Sequence, residues 1–244
     1  MSGIFGVVSK KDCSQLLFYG TDYHSHLGTE YGGMAVLGDK FTRQIHNISQ
    51  SQFKSKFYED YRRMEGAKGI GVISDSDEQP IYLNSKFGPF CVVTVGLIEN
   101  KEDLTQRLLD KGVSFSEVAK TGVNVTELVG KLVILGNNLI DGIEKMFDMI
   151  EGSCSLLILN EEGIYAARDR LGYTPLVLGK RENAWAVTSE SCAFTNLEFE
   201  VVKYLQPGEI VLINEQGLVT RHPGGNTNQI CSFLWIYTGF PASS

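Results

Sequence analysis

The strongest constraint on the fold is a change in hydrophobic periodicity near residue 150. In the first part of the chain, apolar residues recur at spacings of three and four, as in residues 53–64, and this period predicts amphipathic helices. After Gly152, short apolar runs alternate with turn residues, and the runs 155–159 and 164–167 predict a β-hairpin. Helices clustered before antiparallel strands indicate an α+β fold rather than alternating βαβ units.

The other segments predict the elements of two sheets. The 26 glycines punctuate many short apolar runs, as expected for strands joined by tight turns. Strands are predicted at 4–8, 33–37, 69–73, 81–84, 90–98, 175–178, 184–188, 209–213 and 218–221. Helices are predicted after caps at Asp12, Ser51 and Asn100, and over 126–135 and 139–150. Two antiparallel sheets stacked face to face, with helices outside, would bury these runs.

Composition argues against two classes of function. The chain has 244 residues, of which 43% are apolar and 21% charged, which is typical of a globular protein with a sizeable core. Its net charge of −7 argues against a nucleic-acid partner, because phosphate backbones bind basic surfaces. The apolar runs 91–98 and 233–237 are far shorter than the roughly 18 residues of a membrane span, so no membrane partner is expected.

The few candidate metal and redox signals are weak. Five scattered cysteines without a Cys-x-x-Cys pair predict neither a disulfide framework nor a zinc site, and no secretory signal is visible. We therefore expect a reduced, cytoplasmic protein with no metal and no cofactor. The acidic run Asp75–Glu78 lacks the glycine and closing glutamate of a calcium loop, and we interpret it as a solvated turn. Arg168 and Asp169 are interpreted as a buried ion pair or a turn brace.

The end of the chain has two interpretations. Residues 230–237 form the most apolar segment, and the chain stops seven residues later. This segment is either a final core strand or a lead-in to a second domain that this chain lacks. We accordingly divide the chain into a domain over 1–229 and an apolar segment over 230–244.

The opening segment, Met1-Ser-Gly-Ile-Phe-Gly-Val-Val8, resembles the start of class II glutamine amidotransferases, whose mature chains begin Cys-Gly-Ile-Phe-Gly. Later segments resemble the amidophosphoribosyltransferase branch of that family, in the same order and at similar spacing. These segments are Ser25-His-Leu-Gly28, Gly33-Met-Ala-Val36, Gln79-Pro-Ile-Tyr-Leu-Asn-Ser85, Ala167-Arg-Asp169 with Pro175-Leu176, Ser189-Glu-Ser191, Pro207-Gly-Glu-Ile210 and 231–243. The resemblance implies an N-terminal-nucleophile hydrolase fold, which is a four-layer αββα sandwich of two antiparallel sheets with outer helices.

The resemblance also implies a chemistry. In that family glutamine is hydrolysed, and the ammonia passes to a second domain. The nucleophile is the first residue after the initiator methionine, and its own α-amine can act as the base. An asparagine side chain and the backbone N–H of the next glycine form the oxyanion hole. An arginine binds the α-carboxylate of the substrate, and an aspartate binds the α-ammonium group.

Carried onto this sequence, the resemblance gives a weakened catalytic centre. The nucleophile position is Ser2 instead of cysteine. The oxyanion hole keeps the backbone N–H of Gly96, but Val95 replaces the asparagine and cannot donate. Losing one oxyanion donor costs about 10²–10³ in rate, and a hydroxyl is a weaker nucleophile than a thiol.

The substrate-binding positions are also apolar. Val72 stands where the family has the carboxylate-binding arginine, and Val125 where it has the ammonium-binding aspartate. Leu27 replaces the arginine of a Gln-His-Arg-Gly motif. Because an unpaired buried charge costs on the order of 3–5 kcal/mol, we expect a pocket without counter-charges for glutamine and a loss of glutaminase activity.

Three hypotheses about function remain open. The first is a glutaminase-inactive amidotransferase domain of an amidophosphoribosyltransferase homologue, a family of purine biosynthesis. Its expected partners are its own C-terminal phosphoribosyltransferase domain and further copies in a homo-oligomer. The second is a structural, oligomerisation or regulatory module of a transferase. The third is an amide hydrolase that uses Ser2, which requires removal of Met1 because Ser2 otherwise lacks a free amine.

Overall fold

The computed structural model describes residues 2–117, 119 and 122–229. Within these residues the chain forms thirteen strands and six helices. The strands are β1 (Ser2–Ser9), β2 (Tyr31–Leu37), β3 (Phe41–Asn47), β4 (Lys68–Ser74), β5 (Ile81–Ser85), β6 (Gly88–Ile98), β7 (Gly152–Asn160), β8 (Gly163–Ala167), β9 (Val177–Arg181), β10 (Ala184–Thr188), β11 (Glu200–Tyr204), β12 (Glu209–Asn214) and β13 (Gly217–Pro223). The helices are α1 (Ser14–Asp22), α2 (Phe53–Tyr61), α3 (Lys101–Leu109), α4 (Val125–Ile134), α5 (Leu139–Met149) and α6 (Cys192–Asn196). The apolar segment 230–244 lies outside the described residues.

The strands form two sheets. The first sheet has seven strands in the order β11-β9-β10-β1-β4-β2-β3, and the second has six in the order β13-β12-β8-β7-β6-β5. Neighbouring strands in both sheets are antiparallel. Strand β1 pairs with β4 on one side and β10 on the other, so the N-terminal segment lies in the middle of the first sheet.

Three apolar clusters define four layers. One cluster packs α1, α2 and α6 against the outer face of the first sheet, with Phe18 and Phe53 among its buried rings. A second cluster packs α3, α4 and α5 against the outer face of the second sheet. The third cluster lies between the sheets, where Ile4 and Ile70 of one sheet meet Val93 and Leu157 of the other. The order helix, sheet, sheet, helix confirms the predicted α+β sandwich.

The long strand β6 contributes side chains to two of these apolar clusters. Along β6, Phe90 and Val92 pack toward the helices. The alternating residues Cys91, Val93 and Val95 pack between the sheets. Successive side chains of a strand point to opposite faces, so a strand buried on both faces is a continuous apolar run.

Three predicted helix caps differ in detail from the structure. Cys13 and Gln52 precede α1 and α2, and neither side chain caps its helix. Asp12 instead accepts hydrogen bonds from Ser14 Oγ and from the Gly66 N–H, both at 2.9 Å. Asn100 does precede α3, but its amide bonds to the backbone of Met149 and Glu151 rather than to its own helix. The side chains of Asp12 and Asn100 therefore link segments that are far apart in the sequence, and they bond to backbone groups of those segments.

Candidate functional site

A cavity of about 370 Å³ opens at the start of β1. Its polar lining residues are Ser2, Ser76, Asp77, Gln79, Thr94 and Lys101. Its other lining residues are Gly96, Leu97, Ile98, Val123 and Val125. The cavity thus lies where β1, the end of β6 and the first residues of α3 and α4 meet.

Ser2 is anchored to the strand beside it. Its backbone lies opposite Ser74, the last residue of β4, and its hydroxyl donates to Ser74 Oγ at 3.4 Å. The Ser74 hydroxyl oxygen also accepts from the backbone N–H groups of Ser76 and Asp77, each at 3.3 Å. The buried Ser74 hydroxyl therefore holds both the Ser2 side chain and the turn that follows β4.

The turn after β4 carries a buried carboxylate. Asp77 is only 9% exposed, and its Oδ2 accepts a hydrogen bond of 3.2 Å from the backbone N–H of Val125, the first residue of α4. Burial raises the pKa of Asp77, while the Val125 N–H and the charge of Lys101 oppose the rise. The interpretation of this run as a solvated turn is therefore wrong for Asp77.

The cavity contains charges that the sequence did not reveal. Lys101, the first residue of α3, lines the same cavity as Asp77. The expectation of a pocket without charged groups is therefore wrong, although neither group occupies a position that the family resemblance assigns to substrate binding. No local pattern could have identified this pair, because Asp77 lies in the turn after β4 and Lys101 begins α3, and only the tertiary fold brings these two segments together.

Hydrogen bonds fix the wall of the cavity. The Gln79 side chain donates to the Thr94 carbonyl at 3.3 Å and accepts from the Thr94 N–H at 2.8 Å. The Thr94 hydroxyl is 2.7 Å from the Thr126 hydroxyl, which links β6 to α4. A Cβ at Gly33 would lie 1.7 Å from the Gln79 carbonyl oxygen, so a glycine is required on β2 for Gln79 to reach Thr94.

Three of the residues predicted for the site share the cavity. Ser2, Gly96 and Val125 all line it. Val72 and Val95 instead belong to the apolar cluster between the sheets, where Val72 is paired in register with Ile4 and Gly33. Val95 is 6% exposed and lies on β6 one residue before Gly96. The two positions therefore contribute to the core beneath the cavity rather than to its lining.

Leu27 is buried on the opposite side of β1 from the cavity wall. A Cβ added at Gly3 would lie 2.8 Å from Leu27 Cδ1 and 2.7 Å from His24 Cβ, so both side chains pack directly on the strand behind Ser2. His24 is fully buried between Gly20 O and Thr188 Oγ1, each 2.9 Å from a ring nitrogen. Burial lowers the pKa of His24 to about 4, so the imidazole is a neutral structural group.

The described cysteines lie away from this cavity. Cys13, Cys91, Cys154 and Cys192 are free and buried, and none lines the cavity. Burial raises the pKa of Cys91 to about 12 and raises that of Cys13 and Cys154 further. Because the thiolate is the reactive form, burial suppresses the reactivity of Cys13, Cys91 and Cys154 at neutral pH.

The Arg168-Asp169 segment acts as a turn brace. Asp169 accepts hydrogen bonds from the backbone N–H groups of Leu171, Tyr173 and Thr174 at 3.0–3.2 Å. The Arg168 guanidinium donates to backbone carbonyls, including that of Leu205 at 2.6 Å. The interpretation as a turn brace is therefore correct for both residues.

Two further features are absent from the described part of the chain. Among those residues, no group of three or more His, Cys, Asp or Glu side chains is placed to hold a metal ion. No helix in that part combines the length and apolar character that crossing a membrane requires.

Comparison with known protein families shows which class of protein this chain belongs to. Residues 67–196, more than half of the chain, match the family model described as a glutamine amidotransferase domain. The chain belongs to this family. The matched segment runs from β4, which holds Ser74, to α6, and it includes every lining residue of the cavity except Ser2.

The relatives narrow the class to one branch. The amidophosphoribosyltransferase of Methanocaldococcus jannaschii is 29% identical over 233 residues, covering 91% of this chain and 49% of the relative. That of Bacillus subtilis is 28% identical over 256 residues, covering 99% of this chain and 52% of the relative. The chain is thus a class II glutamine amidotransferase domain of an amidophosphoribosyltransferase-like protein, and it spans about half the length of these relatives.

Solved structures support the same assignment. The structure described as the allosteric regulatory enzyme of purine biosynthesis matches with a TM-score of 0.89 at 25% identity, over 99% of this chain and 53% of that one. The B. subtilis glutamine phosphoribosylpyrophosphate amidotransferase, complexed with ADP and GMP, matches with a TM-score of 0.88 at 26% identity, over 99% of this chain and 54% of that one. The predicted N-terminal-nucleophile fold is confirmed.

Proposed function

We propose that this domain has lost glutaminase activity and serves as a non-hydrolytic amidotransferase-like domain beside a phosphoribosyltransferase domain. The observation that carries the proposal is the nucleophile position. Ser2 places a hydroxyl in the cavity, and no described cysteine lines it. The parent protein would then use free ammonia, work in the cytoplasm and assemble as a homo-oligomer.

The oxyanion position supports the same proposal. The side chain of Val95 has no hydrogen-bond donor, and the residue lies in the apolar cluster between the sheets. Gly96 remains on the cavity, but one backbone N–H replaces the two donors that the family resemblance implies. Loss of one such donor alone slows acyl transfer by about 10²–10³.

The position of Val72 supports a loss of productive glutamine binding. Val72 is 1% exposed inside the core, so the guanidinium that the resemblance implies has no equivalent at this point of β4. Lys101 lines the cavity from α3, a different element, and it would hold a carboxylate in a different place. A substrate displaced by even about 1 Å from its reacting geometry can lose on the order of 10²-fold in rate.

The test measures release of glutamate and ammonia from L-glutamine, with the B. subtilis amidotransferase as reference. We expect this chain to be at least about 10³-fold slower, since both nucleophile and donor have changed. The Ser2→Cys variant should remain slow because Val95 still provides no donor. Hydrolysis by the unaltered chain within tenfold of the reference rate would contradict the proposal.

The Ser2→Cys variant separates the two causes. If this variant alone reached the reference rate, the apolar substitutions at Val72 and Val95 would not limit catalysis, and the proposed degeneration of the whole site would be wrong. The Ser2→Ala variant is the matched control, because it removes the hydroxyl while keeping the small side chain at the start of β1.

A further inference from the structure

One edge of the first sheet exposes apolar side chains. Strand β11 is the last strand in the order of that sheet, and among the described residues its paired strand is β9. Val201 and Val202 follow each other on β11 and are 46% and 47% exposed. Because an exposed apolar edge strand is a template for pairing with other chains, natural proteins usually cover such an edge. The two valines therefore indicate a surface that another segment covers.

The described part of the chain ends beside this edge. The Arg168 guanidinium donates to the carbonyl oxygen of Leu205, the residue directly after β11, at 2.6 Å, and to Asn228 Oδ1 at 3.2 Å. The backbone N–H of Gln229 donates to the Leu171 carbonyl oxygen at 2.7 Å. These bonds hold residues 228 and 229 near the C-terminal end of β11, so the residues that follow start from that end of the strand.

The next eight residues have the composition and the length that this edge requires. Residues 230–237 form the most apolar segment of the sequence and contain no charged residue. Extended chain rises about 3.3 Å per residue, so eight residues reach about 26 Å, whereas the five residues of β11 span about 17 Å. A segment that leaves the C-terminal end of β11 and follows its edge runs antiparallel to β11, as do all paired neighbours in this sheet.

A second copy of the chain is a less suitable occupant of the edge. The register of β11 shifts between Val201 and Lys203, and Glu200 and Lys203 place charges on the strand. Bulges and charged side chains on an edge strand oppose pairing between separate molecules. Residues 230–237 are instead tethered at the end of the same strand, and a short tether gives a high effective concentration at the edge.

We propose that residues 230–237 dock along the outer edge of β11 and cover the side chains of Val201 and Val202. Trp235 has the largest side chain of this segment, and docking would remove part of its ring from water. The inference is independent of the proposed loss of glutaminase activity, because no residue of β11 lines the cavity at the start of β1.

The test follows Trp235 in the full chain. The chain has two tryptophans, and Trp185→Phe leaves Trp235 as the only indole. We expect its emission to lie at shorter wavelength than in the urea-unfolded chain and to be protected from acrylamide quenching. Backbone amides of residues 230–237 should exchange hydrogen at least about 10²-fold more slowly than unprotected amides. Emission and exchange equal to those of unfolded chain would overturn the proposal.

A matched pair of variants in the Trp185→Phe chain tests the assigned surface. Val202→Glu places a charge on the edge where the apolar segment would lie, so acrylamide quenching of Trp235 should increase and protection of 230–237 should fall about tenfold or more. Leu109→Glu introduces the same charge on α3, where the native side chain is 45% exposed, and should leave both measurements unchanged. Equal effects of the two variants, or unchanged protection in Val202→Glu, would overturn the proposal.

Sedimentation velocity distinguishes the tethered segment from a second copy. Because docking is intramolecular, protection of residues 230–237 should not depend on protein concentration. If protection appeared only at concentrations at which the chain dimerises, and Val202→Glu dissociated the dimer, the edge would be occupied by a second copy and the proposal would be wrong.

Discussion

Removing the Asp169 carboxylate tests how much the turn between β8 and β9 contributes to the stability of this domain. The carboxylate is 1% exposed and accepts from three backbone N–H groups of the turn that follows it and from the Ser155 hydroxyl at 3.3 Å. The Asp169→Ala variant would remove the acceptor for all four donors at once. The turn connects β8 with β9, so it joins the second sheet to the first.

The expected loss of stability depends on which of the four donors can form a hydrogen bond to water in the variant. Thr174 and Ser155 are buried, while Leu171 and Tyr173 are half-exposed and can bond to solvent in the variant. An unsatisfied buried donor costs about 1–3 kcal/mol, and charged acceptors lie at the upper end. We therefore expect Asp169→Ala to lower the free energy of unfolding by about 3–5 kcal/mol, out of the roughly 5–15 kcal/mol of a typical domain.

The assay is equilibrium unfolding in urea, with the m-value compared between variants. Asp169→Asn should fall between the parent chain and Asp169→Ala, because its amide offers one acceptor oxygen and turns an NH₂ group toward the other donors. The control is Asp148→Asn, which breaks an exposed ion pair with Arg170 and should change stability by no more than about 0.5 kcal/mol. A loss below about 1 kcal/mol in Asp169→Ala would refute the assignment of these four bonds to one stabilising centre.

Three further outcomes are expected. Gly33→Ala should destabilise the chain by about 3 kcal/mol or more in the same urea assay, since the added methyl would meet a backbone carbonyl oxygen, whereas Gly225→Ala meets no atom within 4 Å and should be neutral. The pKa of His24 is about 4 in the folded chain against an ordinary 6.5, so the unfolded chain takes up the proton first as the pH falls. Between these two pH values the free energy of unfolding of the parent chain should fall by about 1.4 kcal/mol per pH unit more than that of His24→Gln. Parallel plots of stability against pH for the two chains would contradict the burial of a neutral ring. In a Cys231→Ser variant, the four remaining thiols should be unreactive toward a thiol reagent until the chain is unfolded, and rapid labelling of the native protein would show that a buried site opens readily. These thiols are Cys13, Cys91, Cys154 and Cys192.

Periodicity predicted the central elements of the fold because their burial is regular. The helix α5 buries its residues at spacings of three and four, and the segment Phe90–Val93 of β6 is a continuous apolar run because both of its faces are covered. The strands β3 and β11 were not predicted. Both are edge strands with partly exposed side chains, so neither has the alternation that marks a half-buried strand. The short helix α6 was missed for lack of a full period.

The resemblance to a known family predicted some residues of the site. The residues that reach the site only through tertiary contacts could not be predicted from the sequence. Ser2, Gly96 and Val125 were named from motif positions, and the structure places them on one cavity. Asp77 lies in an acidic run whose composition predicts a solvent-exposed turn. Its burial depends on α4, which begins 48 residues later. Lys101 carries no local signal, because a lysine on a polar helix is ordinary.

The location of Val72 and Val95 between the sheets has a consequence for any attempt to build a polar site at these positions. Each valine now contributes methyl groups to the shared interior. Introducing an arginine at position 72 or an asparagine at position 95 would insert polar atoms into this apolar cluster, at a cost of about 1–3 kcal/mol or more for each unpaired group. Either substitution is therefore expected to destabilise the sandwich unless several neighbouring residues change with it.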